Sequence, residues 1–174
     1  MKLLTKQENA VHFLKDDQTT ELIYGGAAGG GKSALGCLWL IEMALENDGT
    51  RWLMGRSKLK TLKETTLNTF FDLSSQLGIS HLYNFNGSSN VIQFNNGSRI
   101  DLLDGKLVPR DPLYERFGST EYTGGAIEEG GEVEEGLFEV LKTRIGRHMN
   151  KEYGIVPKML LTCNPKQNWL KDNF

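Results

Sequence analysis

The chain has few of the residues that staple secreted, membrane or metal-bound proteins. Its 174 residues include 2 cysteines, Cys37 and Cys163. Two are too few for a disulfide framework, and their spacing fits neither a CxxC pair nor a zinc set. They suit a reducing, cytosolic setting. The 3 histidines, His12, His81 and His148, lack metal-ligand spacing. The most apolar stretch, Leu35–Leu45, is interrupted by Glu42 and falls short of the ~20 residues that span a bilayer. Met1-Lys2-Leu3-Leu4 runs straight into Thr5-Lys6-Gln7-Glu8, without the apolar core of a signal peptide. These absences argue against a membrane or secreted protein. A basic excess is also missing. Lys and Arg total 20 against 22 Asp and Glu, a net charge of −2, so contact with nucleic acid must be local or be made by an assembly.

What is present is a globular composition, 39% apolar and 24% charged, of a size suited to one domain spanning residues 1–174. Glycine stands out, and it is clustered: Gly25, Gly26, Gly29, Gly30 and Gly31 in one segment, Gly124, Gly125, Gly130 and Gly131 in another. Clustering marks two special loops rather than general flexibility. The pattern predicts a short helix over 3–15 and a buried strand over Glu21–Tyr24. It then predicts a helix over Lys32–Glu46, a strand over Arg51–Gly55 and a long helix over Leu59–Leu77 closed by Gly78. Strand, helix, strand, helix implies parallel pairing through crossover helices. The middle differs: Val91–Asn95 and Ser98–Leu103 alternate apolar and polar around Asn96-Gly97, an antiparallel hairpin signal. A strand over Tyr122–Glu128, a helix over Glu132–Arg147 and a last buried strand over Lys158–Thr162 complete the reading, with the Gly124-Gly125 pair weakening its strand. The expected fold is α/β, a mainly parallel sheet flanked by helices with an added antiparallel hairpin.

Gly26-Ala27-Ala28-Gly29-Gly30-Gly31-Lys32-Ser33 matches G-x-x-x-x-G-K-[ST], between a predicted strand and a predicted helix. Such a loop wraps a phosphate chain with backbone N–H groups, which demands residues tolerant of unusual φ/ψ and close approach. Lys32 would reach the β- and γ-phosphates, and the Ser33 hydroxyl would ligate Mg²⁺. The ligand so implied is Mg²⁺ with ATP, and the fold a P-loop NTPase of the RecA-like (ASCE) type. Such enzymes need a further carboxylate at a neighbouring strand end. Ala126-Ile127-Glu128-Glu129 is the apolar strand that runs into acids, with Glu128 for the metal and its water and Glu129 to orient and deprotonate the attacking water. The competing reading puts both acids in a solvated cluster with Glu132, Glu134 and Glu135. Thr162 and Asn164, after the last strand, would face the γ-phosphate or that water, since ligands bind beyond the carboxyl ends of parallel strands. Gln7 could pair with adenine through its amide; taken alone it reads as a plain surface glutamine.

Together, Thr5-Lys6-Gln7, the GGAAGGGKS loop, Arg56 after the second strand, the FNNGSRIDLLDG hairpin, AIEE and TCNP keep an order that resembles the ATPase domain of the large terminase subunit of tailed bacteriophages. The resemblance runs from about residue 3 to 170. It implies an ATP-driven motor that moves double-stranded DNA into a procapsid in the host cytoplasm. It also implies a pentameric ring on the portal protein, supplied by a small terminase subunit. It puts Arg56 near the nucleotide; the plainer alternative is a strand-end surface charge. Ala28 stands where many members carry an arginine, and Glu128 where the usual acid is Asp. Members continue into an RNase H-like nuclease domain, so the expectation is an ATPase domain lacking its last part, without DNA-cutting activity. A ring motor often completes each site with a neighbour's arginine. Arg116 is the first candidate and Arg110 the second. Basic runs at Arg56–Lys63 and Arg144–Lys151 read as solvated faces before DNA tracks. A small-molecule P-loop kinase and a nucleotide-dependent regulatory switch are the alternatives; no Arg-rich lid supports the kinase.

Overall fold

The computed structural model describes residues 5–26, 29–164 and 169–173. In chain order its elements are α1 (Thr5–Lys15), β1 (Glu21–Gly25), α2 (Lys32–Glu46), β2 (Arg51–Arg56), α3 (Leu59–Glu64), α4 (Thr66–Gln76), β3 (Tyr83–Asn86), β4 (Val91–Phe94), β5 (Arg99–Asp104), β6 (Gly124–Ile127), α5 (Glu135–Lys142), α6 (Asn150–Tyr153), β7 (Met159–Cys163) and α7 (Trp169–Asn173). The strands form one sheet in the order β1-β7-β6-β2-β5-β4-β3. The run from β1 to β5 is parallel, and β4 and β3 extend it as antiparallel edge strands. The expected mainly parallel sheet with an added hairpin is therefore the fold observed.

Side chains alternate across the pleat, and the two faces bury separate cores. Trp52, Met54, Ile100, Ala126 and Leu160 join the core under α1, α2, α3 and α4. Leu53, Ile127, Met159 and Leu161 join the core that α5 and α7 cover with Tyr114 and Phe117. Parallel strands covered on both faces read as short continuous apolar runs. That explains why Leu53, Met54, Leu160 and Leu161 are all within 1% of full burial.

The glycine pair of β6 is a packing device. A Cβ on Gly124 would stand 2.8 Å from the Trp52 ring, and one on Gly125 would stand 2.2 Å from Leu53 Cγ. Two neighbouring side chains of β2 thus fold over the bare backbone of β6, one on each face, and the strand runs over Gly124–Ile127 rather than the expected Tyr122–Glu128. Trp52 also packs edge-on against Trp39 of α2, with ring centroids 5.6 Å apart.

Other element bounds depart from expectation for local reasons. The helix expected over Leu59–Leu77 breaks at Thr65, where φ is −121° and ψ −79°. The Thr65 hydroxyl donates to the Thr61 carbonyl at 2.7 Å and accepts from Arg56 at 3.3 Å, a side-chain competition that bends helices. The helix expected over Glu132–Arg147 shortens to α5. Gly130–Glu132 forms a 3-10 turn and Val133 is extended, burying its side chain while its carbonyl accepts from Trp169 Nε1 at 2.9 Å. At the other end Ile145 bridges to Tyr122 and Gly146 takes φ +75°. β3 and α6 were not expected. β3 pairs on β4, and the β4–β5 connection is a three-residue loop, Asn95–Gly97, closed by the Phe94 N–H on the Ser98 carbonyl, with Gly97 at φ +88° rather than a two-residue Asn-Gly turn.

Gly125→Ala should lower stability by about 1–3 kcal/mol, the usual cost of overpacking a tight core, measured as a fall in the urea midpoint with unchanged slope.

Candidate active site

The parallel strands β1, β7, β6 and β2 end at one edge of the sheet, with Gly25 opposite Cys163 and Gly55 opposite Ile127. Ligands of such sheets bind beyond these carboxyl ends. Gly26 and Gly29–Gly31, between β1 and α2, lie at this edge. Gly29 has φ +80° and Gly31 has φ +67°, a region that glycine enters without Cβ strain. Gly31 is the residue before α2, and a Cβ there would lie 2.4 Å from Gln7 Nε2. Ala27 and Ala28, expected in the phosphate loop, lie outside the described residues.

Lys32 opens α2 and is 8% exposed. Its Nζ donates to the Gly26 carbonyl and to Asn164 Oδ1, both at 2.9 Å. The Asn164 Nδ2 donates in turn to both oxygens of Glu129, at 3.0 and 2.9 Å. Only one orientation of the amide serves both neighbours, since a lysine donates and a carboxylate accepts. The result is a relay from Lys32 through Asn164 to Glu129. Glu129 itself takes φ +50° and ψ +54°, a conformation uncommon outside glycine that marks functional or tightly constrained sites. Its backbone N–H donates to the Thr162 hydroxyl at 3.2 Å.

Glu128 is 2% exposed and continues the ladder of β6 by donating its N–H to the Gly55 carbonyl at 2.7 Å. The Ser33 hydroxyl donates to its Oε2 at 2.7 Å. Burial pushes its carboxyl above the ordinary range. Hydrogen bonds from Ser33 and Thr162 resist that, Glu129 adds to it, and Arg56 pulls the other way. A hydroxyl and a buried carboxylate meeting at 2.7 Å are hard oxygen donors of the kind Mg²⁺ takes, and a dication would relieve the buried charge. The residues present therefore fit the ion. Among the described residues, no group of three or more His, Cys, Asp or Glu gathers as a metal site, so the rest of its shell would be phosphate oxygen and water.

An open cleft of about 370 Å³ runs along this edge, lined by Gly29–Ala34, Thr69, Glu129 and Asn164. The structure thus brings together Gly26, Gly29, Gly30, Gly31, Lys32, Ser33, Glu128, Glu129, Thr162 and Asn164. Gln7 is 5% exposed and lies against the helix end of the loop, its Nε2 donating to the Gly31 carbonyl at 3.1 Å. Arg56 sits at the end of β2, its guanidinium on both carboxylate oxygens of Glu132 at 3.2 and 3.3 Å and on Thr65 at 3.3 Å. Glu132 thus leaves the acidic cluster expected at a helix start. Arg116 stands apart, bonded to Asp111 at 2.6 Å and to the carbonyls of Asp104 and Lys106 at 3.2 and 2.7 Å. Its guanidinium also lies 4.5 Å from the Phe117 ring centre. Arg110 is exposed on the same loop.

Two residues at the site escaped sequence reading. Thr69 reaches the cleft from α4, a helix placed by the sheet's far half. Lys6 lies over the Tyr24 ring, 5.6 Å from its centre, and donates to the Gly25 carbonyl. Lysine in a helix's first turn carries no signal by itself.

Comparison with known proteins bears on the family and the fold. The family model described as phage terminase large subunit matches residues 17–174. The large terminase of a thermophilic bacteriophage superposes with a TM-score of 0.79 at 14% identity, over 100% of this chain and 42% of that one. Structures of the same thermophilic-phage terminase in complex with ADP and with ATP-γ-S superpose at 0.75 and 0.71. The HK97 bacteriophage large terminase does so at 0.70 with 13% identity, covering 94% of this chain and 33% of that one. The ATPase domain of the Thermus phage P74-26 large terminase gives 0.68 at 12% identity, over 99% of this chain and 69% of that one. This chain therefore spans about two-fifths of the thermophilic-phage terminase, 42% of its length. No curated protein sequence matches it.

Glu128→Gln should be more stable than the parent at pH 7 in magnesium-free buffer. A carboxyl whose folded pKa is raised binds more protons folded than unfolded, so stability falls as pH rises from its ordinary value through the folded one. Glutamine escapes that loss. The difference in denaturation midpoint should close as pH is lowered below about 4.

Proposed function

The chain belongs to the phage terminase large-subunit family, and from that premise and the cradle at the sheet edge we propose that it binds and hydrolyses Mg·ATP to drive DNA packaging. The observation that carries this reading is the contact Ser33–Glu128 together with the relay Lys32–Asn164–Glu129, meeting on one cleft that ends a parallel sheet. ATP lies with its phosphates on the amides of the 26–31 loop and at the amino end of α2, where backbone dipoles favour anions. Lys32 offers its charge to the β- and γ-phosphates. Ser33 and Glu128 would hold Mg²⁺, which would supply Lewis-acid charge beside the phosphates. Glu129 orients a water against the γ-phosphorus. The water oxygen forms the new P–O bond, the bond to the bridging oxygen of ADP breaks, and the water proton passes to the Glu129 carboxylate. Asn164, on both Glu129 oxygens and on Lys32, positions the base and lies where loss of the γ-phosphate is felt. Gln7, bonded to the Gly31 carbonyl, is the candidate for the adenine edge, and Arg56, whose charge favours the ionised form of Glu128, is the candidate near the nucleotide.

In the assembled motor, copies of this chain form a ring on the portal protein, fed by the small terminase subunit and acting on double-stranded DNA in the host cytoplasm. The 104–118 loop is the source of an arginine for a neighbour's site. Arg116 must give up Asp111 and two carbonyls to serve, whereas Arg110 is exposed, so Arg110 competes for the role.

Lys32→Ala should abolish Mg-dependent ATP binding by calorimetry. Glu129→Gln should leave binding intact and lower the hydrolysis rate by about 10²–10⁴-fold, the usual worth of a general base. Equal rates would remove Glu129 from the reaction. When doped into wild-type assemblies, the variant of the arginine that works in trans, Arg110→Ala or Arg116→Ala, should depress ATPase more than its share of subunits. Phosphorylation of an added metabolite without net hydrolysis would favour a kinase instead.

A further inference from the structure

Two consecutive residues of α1 hold the two ends of the phosphate loop. Lys6 Nζ donates to the carbonyl of Gly25, the last residue of β1. Gln7 Nε2 donates to the carbonyl of Gly31, the residue that opens α2. Lys6 also lies over the ring of Tyr24, 5.6 Å from its centre, and a Cβ on Gly26 would sit 4.0 Å from its Nζ. Its charge reaches the site: with Lys32, it draws down the Cys163 thiol, which burial raises. Lys32 meanwhile bonds the carbonyl of Gly26. Two ammonium groups thus sit on consecutive carbonyls at the mouth of the loop, one from α1 and one from α2.

The loop between them is rich in glycine, the residue with the most backbone freedom to lose on ordering. Holding its ends fixed reduces the ordering that a bound phosphate must otherwise impose, and preorganisation of this kind appears as affinity. The Tyr24 hydroxyl, 3.5 Å from the Gly30 carbonyl, places the partner of Lys6 against the loop's other half.

We propose that Lys6 is a positioning residue of the phosphate loop. Together with Gln7 it forms a clasp from α1 that keeps the loop in its anion-binding shape before a nucleotide arrives. This rests on the nucleotide-binding reading above for its effect on ATP. Its effect on the loop is independent of that reading.

The test uses the whole chain and compares Lys6→Met and Lys6→Arg with the parent. Hydrogen exchange of the peptides over residues 25–34 is read without nucleotide, and the dissociation constant of Mg·ATP is read by calorimetry. Lys6→Met should speed exchange in this segment with α5 and β5 unchanged, and weaken ATP about tenfold, the loss expected for a charge-assisted hydrogen bond near the surface. The kcat should stay within about twofold, since chemistry is left to Glu129. Lys6→Arg, which retains donor and charge, should restore exchange and affinity. Unchanged exchange in Lys6→Met, or a uniform rise across the whole chain, overturns the clasp. If the parent itself binds no ATP while Lys6→Met still loosens the loop, the clasp stands and the nucleotide reading fails.

Discussion

A carboxylate that the fold holds almost entirely away from water sets the terms for everything around it. Glu128 is costly to bury in its charged form, and its neighbours reduce that cost. Ser33 donates to it from α2, the Thr162 hydroxyl and the Arg56 charge favour its ionised form, and its own N–H stays in the β2 ladder. Gly36, one turn beyond Ser33, leaves the room: a Cβ there would lie 3.2 Å from Glu128 Oε1. Burial first, and this same carboxylate second, drive the nearby Cys37 thiol well above its ordinary pKa, so that this cysteine behaves as a small apolar core residue.

What could be read from the sequence was what local chemistry decides. The 26–33 segment identifies itself because few other purposes require so many small residues before Lys32 and Ser33. The hairpin between β4 and β5 is marked by Gly97, which takes the positive φ that its loop needs. The strand-end position of Glu128 and Glu129 was legible because an apolar strand runs directly into them. The rest depended on distant partners. Tyr83 and Phe85 make β3 an edge strand by packing on Phe71, which no short window reveals. Gly124 and Gly125 look like strand breakers until Trp52 and Leu53 are seen lying over them. Glu132 belonged by spacing to a helix start, but Arg56, 76 residues away, draws it out. Arg116 is the first candidate for an arginine offered to a neighbour, yet Asp111 and two carbonyls hold it.

The relay from Lys32 to Glu129 is a consequence of strand order rather than of motif spacing. β7, the last strand in the chain, lies between β1 and β6, so the loop strand and the acid strand stand two spacings apart, about 10 Å. A direct lysine–glutamate pair would collapse the cleft between them. Asn164 leaves the middle strand and fills that gap with one amide, whose two ends have opposite hydrogen-bonding character. The other contact, Ser33 to Glu128, crosses the same gap above the sheet. It requires α2 to press closely on β7 and β6, and Gly36 allows this, with Leu160 and Ala126 within 4.0 Å of where its Cβ would be. A larger residue at position 36 would lift α2 and separate the hydroxyl from the carboxylate while leaving every motif intact in the sequence.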